Sequence, residues 1–297
     1  MVIDAFSLTR TIATALSLLL PYYCQAAIDV TDDSDRQIHL THPAHRIISL
    51  APHITELLYE IGAGDFIVGT VEYSDYPQAA KSIPRIGRFN ALDLETIVTL
   101  KPDMVIAWRS GNPVHQVEKI LSLGIQVFYS DPVKLTDVAN SLGRFGQLTG
   151  LNDNGQQAQQ AFMQRYQQLK QRYQNKSKVR VFYEIWNQPM MTVNGKHIIN
   201  EVIELCGGEN VFKTLSTLTP TVNTEAVIEA NPAVIIGSGV GDDPPPWLNQ
   251  WNRWIGLSAV KNHHVYFVNP DYIHRQTSRL LTGAERVCGL LDKARNL

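Results

Sequence analysis

Apolar and polar positions divide this chain into short buried strands and amphipathic helices taken in turn. Arg46-Ile47-Ile48-Ser49-Leu50 is an apolar run of strand length, and residues 55–61 follow it with helical spacing. Phe66-Ile67-Val68-Gly69 predicts a second strand and residues 93–100 a helix. Met104-Val105-Ile106-Ala107-Trp108 predicts a core strand, residues 115–123 a helix, and Gln126-Val127-Phe128-Tyr129 a further strand. Strands alternating with helices in this way imply a parallel sheet with right-handed crossovers. Before them, residues 28–44 are polar, carry Asp32, Asp33 and Asp35, and read as a leader strand or arm.

Residues 153–173 break the rhythm. Ala158, Ala161, Phe162, Tyr166, Leu169 and Tyr173 recur at three- and four-residue steps opposite a glutamine-rich face. About 21 residues at roughly 1.5 Å each give a helix of roughly 30 Å, long enough to join two lobes. Lys176-Ser177-Lys178 reads as a short linker, and the strand of residues 179–185 opens a second α/β half. The division expected is therefore residues 27–151, a connecting helix over 152–176, and residues 177–297. One stiff helix as the connector permits only a modest closing motion.

The two halves repeat each other. Residues 95–106 read Glu-Thr-Ile-Val-Thr-Leu-Lys-Pro-Asp-Met-Val-Ile and residues 225–236 read Glu-Ala-Val-Ile-Glu-Ala-Asn-Pro-Ala-Val-Ile-Ile, in register at an offset of 225 − 95 = 130. Thr55-Glu56-Leu57-Leu58 and Asn200-Glu201-Val202-Ile203 open a second matching pair, at an offset of 201 − 56 = 145. Both of these helices stop at glycine, where a left-handed residue costs least. Two similar lobes imply a cleft between them, and each presents a glutamate, Glu95 or Glu225, at the same place. The fold class expected is α/β, with two Rossmann-like lobes joined by one long helix.

The N-terminus differs from the rest. Arg10 precedes the apolar run Ile12 to Leu20, too short to span a bilayer, and Cys24-Gln25-Ala26 supplies small residues at a cleavage site. Residues 1–26 read as a secretory signal peptide, removed to leave a soluble exported protein. Tyr22 and Tyr23 stand where a lipoprotein signal would need small residues. Export leaves Cys206 and Cys288 in an oxidising compartment, where they either pair across about 80 residues or stay as two buried thiols.

Net charge is −2 and no basic run stands out, so neither nucleic acid nor an anionic membrane surface is an expected partner. There is no phosphate loop and no nucleophile elbow. Gly237-Ser238-Gly239-Val240-Gly241 runs into Asp242-Asp243-Pro244-Pro245-Pro246 instead of a helix, which removes a dinucleotide reading. Nine histidines are present, including His39, His42 and His45 at three-residue spacing, but none falls in a metal-binding pattern. No catalytic residue, resident metal or cofactor is expected, and an α/β enzyme with a cleft active site is the remote alternative.

Aromatic chemistry does concentrate after strands. Tyr73-Ser74-Asp75-Tyr76-Pro77, Phe89, Trp108-Arg109-Ser110-Gly111-Asn112, Trp186 and Asp271-Tyr272-Ile273-His274-Arg275 all fall at strand ends, where ligands of such sheets sit. Aromatic faces with a few polar groups suit a large, flat, partly polar ligand. Trp247, Trp251 and Trp254 fall at helical spacing instead and read as packing or surface cover.

These motifs, with Asp93-Leu94-Glu95, Leu100-Lys101-Pro102-Asp103 and Leu205-Cys206-Gly207-Gly208-Glu209-Asn210, resemble the periplasmic cobalamin-binding receptors of ABC importers, in the helical-backbone class of substrate-binding proteins. The resemblance covers the chain from about Arg46 to the C-terminal helix. It implies a non-enzymatic, monomeric receptor that carries cobalamin (vitamin B12) or a related corrinoid to a permease dimer. Tyr73, Phe89, Trp108 and Trp186 would line the cleft against the corrin, and Asp271, Tyr272, Ile273, His274 and Arg275 would meet its peripheral amides. Glu95 and Glu225 would meet permease arginines, and Cys206 and Cys288 would form the family's disulfide. Phe89 stands where family members can carry tryptophan, Thr219 where an aromatic can stand, and His274 where the family has an acidic residue. Haem or a ferric siderophore is the alternative ligand within the same class.

Overall fold

The structure is a computed structural model that describes residues 27–239 and 241–296, so the signal peptide read over residues 1–26 lies outside the described residues. The described residues begin with a hairpin, β1 (Ile28–Thr31) and β2 (Gln37–Leu40). The first lobe then runs β3 (Ile47–Ser49), α1 (Pro52–Glu60), β4 (Ile67–Thr70), a small hairpin β5 (Gly87–Arg88) and β6 (Ala91–Leu92), α2 (Leu94–Thr99), β7 (Met104–Trp108), α3 (Val114–Ser122) and β8 (Gln126–Ser130). Two helices follow, α4 (Leu135–Thr149) and α5 (Asn152–Tyr173). The second lobe runs β9 (Val179–Glu184), α6 (Ile198–Leu205), β10 (Gly208–Asn210), α7 (Thr224–Ala230), β11 (Val234–Gly237), α8 (Ser258–Lys261), β12 (Val265–Phe267) and α9 (Arg279–Arg295).

The duplication is plain in the sheets. Their strand orders are β4-β3-β7-β8 and β10-β9-β11-β12, all parallel, so each strand of one lobe has a counterpart in the other. Local chemistry repeats too. Asp93 caps α2 by accepting from Thr96 N at 3.0 Å, and Asn223 caps α7 by accepting from Ala226 N at 2.9 Å, each two residues before its glutamate. Each helix is followed by a left-handed residue, Lys101 (φ 46°) or Asn231 (φ 41°), immediately before a proline. Glu95 and Glu225 consequently stand exposed in the first turns of equivalent helices.

The long helix has a companion that hydrophobic spacing did not reveal. The helix α4, carrying Gly143 and Gly146, lies antiparallel against α5, and the backbones meet at Gly146 and Gly155, where an added Cβ on Gly155 would come within 2.8 Å of Gly146 Cα. The long helix therefore packs along α4 at the edge of the first lobe and does not stand alone. The α5 helix also touches α6 and α9 of the second lobe. Glu201 in α6 reaches across to accept from Leu135 N at 2.6 Å, at the start of α4. The arm of residues 28–44 is a hairpin anchored to the first lobe, because the buried Asp32 accepts from Tyr129 N and pairs with Arg36. His39 lies beside Asp29, a carboxylate partner that the sequence reading had not supplied. The two cysteines are joined, Cys206 at the end of α6 to Cys288 in α9, across 82 residues. Cross-linking a loop of that length stabilises by on the order of 4 kcal/mol in chain-entropy terms.

Candidate functional site

A cavity of about 810 Å³ lies between the lobes at the carboxyl ends of the strands. Pro52, His53, Tyr73, Asp75, Phe89 and Trp108 line it from the first lobe; Trp186, Asp271, His274 and Arg275 line it from the second. Its wall is mainly apolar, and the polar groups are few.

Two devices position the aromatic groups of the first lobe. Asn112, buried, accepts from Trp108 N at 2.7 Å and donates to the carbonyls of Phe89 at 2.7 Å and Leu50 at 2.9 Å. The rings of Phe89 and Trp108 lie with centroids 5.6 Å apart. The Trp108 indole donates to Asp131 at 3.1 Å and lies so close over Gly111 that a Cβ there would be 2.0 Å from it. The second device is a chain of buried hydroxyls, Ser49, Thr55, Thr70 and Ser74, each 2.8 Å from the next. It ties β3, α1 and β4 to the turn that carries Tyr73. That tyrosine is 66% exposed and held at φ 65°, an arrangement rare for a bulky side chain and met where a site dictates the backbone. Trp186 is 45% exposed and donates its indole N–H to Gln188 O at 2.9 Å.

An ion cluster lies beside the cavity and shares Asp75, Asp271 and Arg275 with its wall. The Glu56 carboxylate, buried, takes hydrogen bonds from Arg279 at 2.6 and 2.9 Å and from Arg275 at 2.8 Å. Arg275 also reaches Asp75 at 2.9 Å and Asp271 at 3.0 Å. Glu56 and Asp75 belong to the first lobe and the arginines to the second, so the cluster fastens the lobes together. Glu56 and Glu201 are the matching glutamates of the repeated helix, and each crosses to the opposite lobe.

Of the nine residues expected to meet a ligand, seven line the cavity: Tyr73, Phe89, Trp108, Trp186, Asp271, His274 and Arg275. Tyr272 and Ile273 do not. The 3₁₀ turn Pro270–Tyr272 points successive side chains in different directions, so Ile273 is fully buried in the core and Tyr272 lies under Arg286, 4.1 Å from its ring centroid. Arg275 serves the ion cluster as well as the cavity. Arg109, next to Trp108 in the same motif, turns away to donate to Asp33 O at 2.9 Å. The histidines of the cavity are neutral: burial lowers His274 to about 4, and burial followed by the positive charge of Arg275 lowers His53 to about 3. Sequence reasoning missed His53, Asp75 and the Glu56–Arg279 pair. Asp75 had been quoted in its motif without a role.

Parallel sheets in tandem, a helical connector and a cleft walled by both lobes define a two-lobed ligand receptor. The chain belongs to the periplasmic binding protein family, whose family description matches residues 47–272. It is a family of substrate-binding proteins, not of enzymes. Among relatives, a vitamin B12-binding protein of Vibrio parahaemolyticus is 38% identical over 249 residues, which span 83% of this chain and 89% of the relative. Among solved structures, the periplasmic vitamin B12-binding protein BtuF of Vibrio cholerae is 36% identical with a TM-score of 0.79, covering 86% of this chain and 99% of that one. A periplasmic heme-binding protein, RhuT of Roseiflexus sp. RS-1, shares the fold at 20% identity, with a TM-score of 0.74 over 84% and 99% of the two chains.

Proposed function

We propose that this protein captures cobalamin or a closely related corrinoid in the interlobe cleft and hands it to an ABC permease. The observation that carries the reading is the cavity itself, about 810 Å³ and faced by Tyr73, Phe89, Trp108 and Trp186. A corrin presents two broad faces and a rim of amides. Aromatic walls suit the faces, while Asp271, His274 and Arg275 offer polar groups to the rim. Identities of 38% and 36% to vitamin B12-binding proteins support the same ligand.

Residues 27–151 and 177–297 act as the two jaws on the backbone of 152–176, and the chain works as a monomer in the periplasm after its signal peptide is removed. Glu95 and Glu225 are the permease contacts. They are exposed, equivalent under the duplication, and borne on capped helices, so a two-fold receptor meets a two-fold partner. Calorimetric titration of the mature protein with cyanocobalamin, haemin and a ferric siderophore tests the ligand. Binding of cyanocobalamin alone is the expected result; binding of haemin or the siderophore alone would contradict it.

A further inference from the structure

A second chamber adjoins the interlobe cavity on the second lobe. It has a volume of about 620 Å³ and is lined by Trp186 and Trp247, by Pro245 and Pro246, and by Asn187 and Gln188. Trp186 and Gly239 border both spaces, so the two meet at that indole. The tryptophans at positions 247, 251 and 254 part here. Residues Pro246–Arg253 form a 3₁₀ helix, in which side chains three apart share a face. Leu248 and Trp251 take the buried face. Trp247 and Gln250 share another, and Gln250 donates to Asn187 at 2.8 Å, which ties this helix to the loop carrying Trp186. Gly237, at the end of β11, leaves room for the Trp247 ring, which a Cβ there would approach to 3.3 Å. Trp186 is held by its indole bond to Gln188 O and by its carbonyl, which accepts from Met191 N at 2.8 Å. Both indoles are fixed on one lobe, so the chamber needs no lobe closure to form.

The chemistry of the walls narrows the occupant. Two indoles and two proline rings favour a flat, uncharged group, and none of the described residues lining the chamber is ionisable. The amide of Gln188, an exposed residue, carries both a donor and an acceptor, the pairing that matches an adenine edge. A corrinoid can bring such a group, because the organic ligand on the upper face of its cobalt is a 5′-deoxyadenosyl group in one form and only a methyl in another. We propose that this chamber is a subsite for that adenine, with Trp247 the residue that makes the receptor select adenosyl corrinoids. The macrocycle stays in the interlobe cavity, the cobalt keeps both of its axial ligands, and no bond is made or broken. This deepens the corrinoid reading and rests on it.

The experiment compares adenosylcobalamin with methylcobalamin, which differ only in the upper group, by calorimetry on the mature protein in the dark. The wild type is expected to bind adenosylcobalamin about tenfold more tightly, as stacking of one base on an aromatic side chain allows. In Trp247→Ala the ratio of the two affinities should fall to about one, and in Gln188→Ala to about three. Gln188 is exposed, so Gln188→Ala decides the matter should Trp247→Ala fail to fold. Equal affinity of the wild type for the two corrinoids, or a full preference that persists in either variant, would overturn the subsite while leaving corrinoid binding intact. Failure of both corrinoids to bind the wild type would remove the corrinoid reading and this inference with it.

Discussion

Single residues set the cleft. Trp108 can lie where it does only because position 111 has no side chain, with a Cβ there brought 2.0 Å from the indole. Gly111→Ala is therefore expected to displace the indole and weaken cyanocobalamin binding by about tenfold, with far-ultraviolet circular dichroism unchanged; calorimetry on the variant checks it. In the second lobe, at the end of β9, Glu184 is fully buried and accepts from the Trp251 indole at 2.7 Å. Burial pushes its carboxyl up from 4.5 to about 7, against the opposing pull of the Trp251 hydrogen bond. Below the unfolded value both states keep the proton. Between that value and about 7, the unfolded chain loses a proton that the folded chain retains, so stability falls as pH rises, by on the order of 3 kcal/mol. Glu184→Gln cannot ionise, and urea denaturation is expected to find it more stable than the wild type at pH 8 with the gain shrinking toward pH 4.5. Legibility at this scale was uneven. Aromatic residues at strand ends announced the cleft, whereas His53 and Asn112 carry no pattern of their own and gain their meaning from Trp108, 55 and 4 positions away.

At the scale of elements, the alternating strands and helices were readable because each lobe buries short apolar runs at regular intervals. The helix α5 was readable from its spacing, while α4 escaped because Gly143, Gly146, Ser141 and Asn140 dilute its apolar stripe. Those same glycines explain the packing. Gly146 and Gly155 let two backbones touch, as small residues do wherever helices approach closely. Gly155→Val should force the pair apart and cost on the order of 3 kcal/mol in urea denaturation, as overpacking does in rigid cores. The segment after β12 misled for a related reason. Five consecutive residues were assigned to one ligand edge, but a 3₁₀ turn scatters their side chains between cavity, core and surface.

For the whole molecule, duplication explains the cleft and gives the proposed partner surface its two matching glutamates. The repeat was visible as two glutamate–proline–strand units, and the sheets give it physical form in matching strand orders. What could not be read was the fastening between lobes, since Arg275 meets Glu56 across 219 positions and no local pattern links them. A large hinge motion would break the Glu56–Arg275 and Glu56–Arg279 ion pairs and the Glu201–Leu135 hydrogen bond, so a small closure is the expected behaviour on ligand binding. Glu95→Ala with Glu225→Ala should leave cyanocobalamin affinity unchanged and abolish most cobalamin uptake in cells; loss of binding in the purified variant would move these glutamates into the cleft. The most direct measurement is calorimetric titration of cyanocobalamin into the mature wild-type protein and into the Trp108→Ala/Trp186→Ala variant. A single site per chain, with affinity in the variant reduced by about a hundredfold, is the expected result. Equal affinity in the two proteins would place the ligand outside the aromatic cleft and contradict the account.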